Sequence, residues 1–123
     1  MKDVSSTLKY KGKDYKLIFN FNAMENIQEE FGSLEKWGKL CQPPDKTSEA
    51  NIKALKFGIA AMINEGIDIS NDENGTNDPP VTLKQVGRIL SDVGSEQIAK
   101  ALNEIVIKST MSNEKNESST KSQ

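Results

Sequence analysis

A strand that passes into a helix without a loop is the feature that most constrains how this chain folds. Residues 19–32 read FNFNAMENIQEEFG, and upstream of them apolar residues alternate with lysines on both sides of Gly12. Gly12 can adopt the positive φ of a tight turn. The pattern predicts a β-hairpin over about 7–21. Its apolar side would carry Leu8, Tyr10, Tyr15, Leu17, Phe19 and Phe21.

The helix that follows has start and stop signals of its own. Asn22 and Glu25 have capping-box spacing, with Asn in place of Ser or Thr, and Gly32 suits a helix C-terminus. A helix over 23–31 is therefore predicted. It would fold Ile27 and Phe31 back onto the hairpin.

Two further helices are predicted before residue 67. Ser33 caps one over about 34–41, which Pro43 and Pro44 stop. The other covers about 49–65 and is expected to end at Gly66. Its apolar residues form two faces, which implies two neighbours. One is a stripe of Ile52, Leu55, Ile59, Met62 and Ile63, and the other consists of Ala50, Ala54, Phe57 and Ala61.

The segment 65–80 is acidic and rich in Asn, Gly and Pro, which predicts a mobile loop. Its string SNDENGTNDPPV is only faintly similar to a calcium loop, because Ser70 and Val81 stand where the two strongest ligands belong. Calcium binding is therefore not expected.

The carboxy-terminal part predicts two more helices, over about 83–92 and 96–110. Thr82 and Gln85 form a capping box at the start of the first. A helix-turn-helix reading is disfavoured, because polar Lys100 and Asn103 fall where a recognition helix buries apolar side chains.

These elements indicate an α+β fold, with an N-terminal hairpin packed on a bundle of about five helices. We expect one domain over 1–111. Residues 112–123, SNEKNESSTKSQ, contain no apolar side chain and predict a disordered tail.

The composition of the chain argues against several classes of function. The chain has no histidine and one cysteine, and a net charge of −2 gives no positive excess to hold nucleic acid. No catalytic, cofactor or metal site is predicted. No apolar run approaches the ~20 residues that span a bilayer. The sequence shows no basic-then-apolar leader at Met1 and has a single cysteine, so we expect the protein in a reducing cytoplasm. This combination of elements and residue types is typical of a protein-binding module.

Candidate partner-binding residues lie on the second face of the long helix. The structural alternative is that this helix is simply the central core element; the functional one is that the face stays open for another chain. The candidates are Ala50, Ala54, Phe57 and Ala61, together with Trp37 and Ile107. The outward lysines of the hairpin either protect a strand edge or form a docking surface for an acidic partner.

The order of the elements resembles the tail assembly chaperones of long-tailed bacteriophages. Four stretches carry the resemblance: GKDYKLIFNF, NAMENIQEEFG, NIKALKFGIAAMINEG and VTLKQVGRIL. The resemblance implies binding of the apolar, helical tape-measure protein until tail-tube protein polymerises around it, and self-association. It also implies a phage or prophage origin and the cytoplasm of a bacterial host. Alternatives are a module that binds a host protein and, less favoured, a small DNA-binding regulator.

Overall fold

A hairpin followed by five helices makes up the described part of the chain. The computed structural model describes residues 4–45 and 47–105. The elements are β1 (Val4–Tyr10), β2 (Lys13–Phe19), α1 (Phe21–Phe31), α2 (Leu34–Cys41), α3 (Ile52–Asn74), α4 (Leu83–Val93) and α5 (95–105). The predicted α+β class and the N-terminal hairpin are confirmed. The predicted tail, 112–123, lies outside the described residues.

The hairpin turns through two residues. Tyr10 pairs with Lys13, and the loop residues Lys11 and Gly12 both have positive φ, 50° and 74°. This two-residue geometry matches the right-handed twist of the strands. The inward face buries Leu8, Leu17 and Phe19.

The junction between β2 and α1 begins two residues earlier than predicted. Asn20 is the N-cap, and its side chain accepts a 3.2 Å hydrogen bond from the backbone N–H of Ala23. The predicted Asn22–Glu25 cap is therefore wrong. Phe21 opens α1 and is 70% exposed, so it does not belong to the apolar side of the strand. Gly32 ends α1 with φ 90°, as predicted.

The length of α3 is the largest departure from prediction. The helix passes through Gly66 and ends at Gly75, whose φ is 65°. An ideal Cβ at Gly66 would lie 2.8 Å from the backbone oxygen of Lys16. Gly66 therefore permits close packing of α3 against β2 instead of ending the helix. The expected loop at 65–80 is helical as far as Asn74.

Helices α4 and α5 close the remaining side of the core. The capping box of Thr82 and Gln85 is present, with both reciprocal hydrogen bonds, as predicted. The helix predicted over 96–110 begins at 95 and is described as far as 105. It buries Ile98, Leu102 and Ile105. Among the described residues, none of the helices combines the length and apolar character that crossing a bilayer requires.

Candidate docking surfaces

Trp37, a predicted partner-binding residue, lies in the core. Its side chain is 4% exposed, and its ring stacks on Phe19 with the centroids 6.2 Å apart. The indole N–H donates a 2.9 Å hydrogen bond to the backbone oxygen of Ala54. The expectation that Trp37 is available on the surface is therefore wrong.

The small-residue face of α3 is largely closed within the chain. Ala54 is fully buried, and Ala50, Phe57 and Ala61 are half-buried. Phe57 meets Phe31 of α1 edge to face, with the ring centroids 5.5 Å apart. The prediction of an open face is wrong, because α1 and α2 cover one side of α3 while the hairpin covers another. Ile107 lies outside the described residues.

Three large apolar side chains are instead exposed, and they share one position in their helices. Phe21, Ile52 and Leu83 are 70%, 66% and 46% exposed. Each is the first residue of its helix, directly after an N-cap at Asn20, Asn51 or Thr82. Sequence reasoning assigned Phe21 and Ile52 to buried faces, because it began the helices at other residues. We call these three side chains the N1 apolar set.

A concave, polar surface of about 670 Å³ lies between α1 and the carboxy-terminal half of α3. Four carboxylates line it, those of Glu25, Glu65, Asp68 and Asp72, and we call it the acidic trough. The side-chain amide of Asn22 lies at a long hydrogen-bonding distance of 3.4 Å from Glu65. The trough was not predicted from the sequence, because this region was expected to be a loop. The carboxylates from 65–72 line up on one side only when the segment is a helix.

The hairpin presents the opposite charge. Its exposed lysines are Lys9, Lys11, Lys13 and Lys16, which we call the hairpin lysines. Lys11 and Lys13 lie 5.4 and 5.0 Å from the ring centroids of Tyr10 and Tyr15. These contacts orient the ammonium groups near the turn while leaving them accessible to a partner.

Comparisons with models of known protein families, with curated proteins and with solved structures found no match. Burial raises the pKa of the Cys41 thiol to about 12, so this group stays protonated near neutral pH. In the described part of the chain, no group of three or more Cys, Asp or Glu residues has a metal-binding arrangement. The exposed features that could contact a ligand are the hairpin lysines, the acidic trough and the N1 apolar set. The members of that set lie apart, since Asn22, beside Phe21, meets Glu65 while Lys53, beside Ile52, meets Glu30.

Proposed function

We propose that this chain is a non-enzymatic tail assembly chaperone of a long-tailed phage or prophage. It binds the tape-measure protein in the cytoplasm of the bacterial host and assists assembly of the tail-tube protein around it. The observation that carries the proposal is the order of elements, above all the direct passage from β2 into α1 at Asn20. This junction joins the hairpin to the helices without a flexible linker, which gives a rigid module able to present surfaces to other chains.

The N1 apolar set supplies the proposed contact with the client. Complete burial of a fully exposed large apolar side chain contributes roughly 1.5–3 kcal/mol. These three are 70%, 66% and 46% exposed, so together they contribute roughly 3–5 kcal/mol before the costs of association. A single copy would therefore bind weakly. Many copies along one long client would reach high avidity, because each bound segment raises the local concentration of the next.

This role assigns a different surface from the one predicted by sequence. Trp37 and Ala54 stabilise the fold, and Phe57 contacts Phe31. Substitution of these three residues would therefore confuse loss of folding with loss of binding. The N1 apolar set avoids that difficulty, since none of its members is needed to fill the core.

The test is co-expression with the product of the neighbouring long reading frame. We expect a very long, coiled-coil-rich gene directly downstream, whose product is insoluble alone and soluble with this chain. Co-purification of the two proteins would support the proposal. A neighbourhood without such a gene, or a client whose solubility does not respond to this chain, would contradict it.

A further inference from the structure

A short segment between α3 and α4 runs back along α3, and we call residues 76–81 the strap. The rings of Pro79 and Pro80 fix φ at about −65° and keep the residue before each of them out of the helical region. The helices on both sides have their own end signals, since Gly75 ends α3 with a φ of 65° and Thr82 caps α4. The strap is therefore an extended segment that neither helix needs for its definition.

Two asparagine side chains of α3 hold the strap by its backbone. The amide of Asn64 accepts a 2.8 Å hydrogen bond from the N–H of Val81 and donates a 3.2 Å bond to the carbonyl oxygen of the same residue. Asn71 holds Asp78 in the same way, with both bonds at 3.0 Å. Each amide thus pairs with the strap as a neighbouring strand would, and we call the two side chains the amide clamps.

The spacing of the amide clamps matches an extended chain. Asn64 and Asn71 are seven residues apart, which is about 10 Å along a helix. Asp78 and Val81 are three residues apart, which is about 9 Å in a polyproline II segment. The two residues between them are prolines, which carry no N–H, so no backbone donor between the clamps needs a partner. The clamps therefore suit an extended segment with proline at the intervening positions.

The strap makes little side-chain contact with the core. Residues 76–80 are exposed, and Val81 is half-buried and packs against the core. Within the described residues, the one backbone-to-backbone hydrogen bond of the strap runs from the N–H of Thr76 to the carbonyl oxygen of Asn71, at 3.1 Å. Segments with few buried apolar contacts and exposed hydrogen bonds open more readily than a core helix. The strap can therefore leave the clamps without unfolding of the domain.

A groove of about 470 Å³ lies beside the strap, on the side of β2. Ile63 and Ile67 of α3 supply apolar surface to it. Two lysines and two aspartates also line it, namely Lys13, Lys16, Asp14 and Asp78. Because these charges balance, the groove selects a chain by backbone and apolar contacts and not by net charge. The groove also gives a partner chain room to enter next to the clamps.

We propose that the amide clamps and this groove form a docking site for an extended, proline-containing segment of another protein, with the strap as a built-in competitor. A segment with a polar residue, two prolines and an aliphatic residue in succession would make the same four hydrogen bonds with the clamps. Its aliphatic side chain would replace that of Val81, and its polyproline II conformation would need little further ordering. This site is separate from the N1 apolar set and does not depend on the chaperone role.

The test is the binding of a labelled peptide with the sequence of residues 76–82, TNDPPVT, followed by fluorescence polarisation. A released variant carries Pro79→Gly, Pro80→Gly and Val81→Ser, which remove the features that keep the strap extended and packed. It should bind the peptide at least about tenfold more tightly than the wild type, because its clamps are free for a larger fraction of the time. Adding Asn64→Ala and Asn71→Ala should abolish this gain. The peptide TNDAAVT should bind more weakly, since alanine does not hold it extended.

Asn74→Ala is the matched control for the clamps, because this asparagine also lies on α3 but bonds to Ser70. Added to the released variant, it should leave peptide binding unchanged. A released variant that binds no better than the wild type, or binding that survives the loss of both clamps, would overturn the proposal.

Hydrogen exchange of the wild type gives a second test that needs no variant. The N–H groups of Asp78 and Val81 should exchange together and faster than those of the buried part of α3, because the strap opens as a unit. Exchange of these two groups as slow as that of the core would show that the strap does not open, and would overturn the proposal.

Discussion

The indole of Trp37 donates its hydrogen bond to Ala54 while lying directly over Gly58, one turn further along α3. An ideal Cβ at Gly58 would lie only 2.6 Å from the indole nitrogen. The missing side chain thus lets α2 approach α3 closely enough for the hydrogen bond to form. This contact joins α2 to α3 at Ala54, a member of the small-residue face.

Substitution of Gly58 by alanine should destabilise the protein. The added methyl group cannot fit beside a buried ring, and overpacking of this kind costs ~1–3 kcal/mol. Urea unfolding measures the change. Gly38→Ala is the matched control, because no atom lies within 4 Å of its ideal Cβ and alanine favours a helix by up to ~1 kcal/mol over glycine. A stable Gly58→Ala protein would show that the ring is not held in this position.

Gly66→Ala should also destabilise the protein, but through the contact between α3 and β2. Its Cβ would meet a backbone oxygen of Lys16, which cannot rotate away, so we expect a loss of ~1–3 kcal/mol in thermal or urea unfolding. At Gly87 the nearest atom is the flexible end of Lys56, at 3.4 Å. Gly87→Ala should therefore be better tolerated. Equal effects of the two substitutions would contradict the proposed role of Gly66.

Cys41 should give the fold a specific dependence on high pH. Burial raises its pKa from 9.0 to about 12, so between these values the unfolded chain releases a proton that the folded chain retains. Its contribution is complete below pH 9 and is lost as the pH rises toward 12. The wild type should lose more stability over this range than Cys41→Ala. The same slope in both proteins would contradict the assignment.

Two phenylalanines should respond oppositely to an acidic substitution. Phe57→Asp removes the contact with Phe31 and places a charge at a half-buried site, so we expect a loss of roughly 2 kcal/mol or more. Phe21→Asp should leave stability nearly unchanged, because the side chain is exposed and an acid is favourable in the first turn of a helix. Unfolding of the Phe21 variant would show that this residue belongs to the core.

Local sequence signals were sufficient to predict much of the fold. They were insufficient where an element depends on contacts between residues far apart in the chain. Gly32, Ser33 and the pair Thr82–Gln85 act within one turn of helix, so the sequence revealed them. Gly66 was predicted to end the long helix, but α3 continues to Gly75. The role of Gly66 depends on the close approach of Lys16, fifty residues away along the chain, which local sequence does not reveal.

The candidate surfaces were harder to predict, because exposure depends on where each helix begins. With the N-cap predicted at Asn22, Phe21 was expected on a strand face. The structure has the N-cap at Asn20, so Phe21 is the exposed first residue of α1. Similarly, the buried position of Trp37 depends on Gly58, which lies in another helix. Ile18 is buried although alternation placed it outward, since β2 also packs against α3.

The most direct test of the chaperone role is the effect of the N1 apolar set on client solubility. The variant Phe21→Glu, Ile52→Glu, Leu83→Glu should remain folded, because acidic residues are favourable at helix starts. With the neighbouring long gene product co-expressed, the soluble fraction of that client should fall to the level found without this chain. Full retention of client solubility by the folded variant would contradict the account.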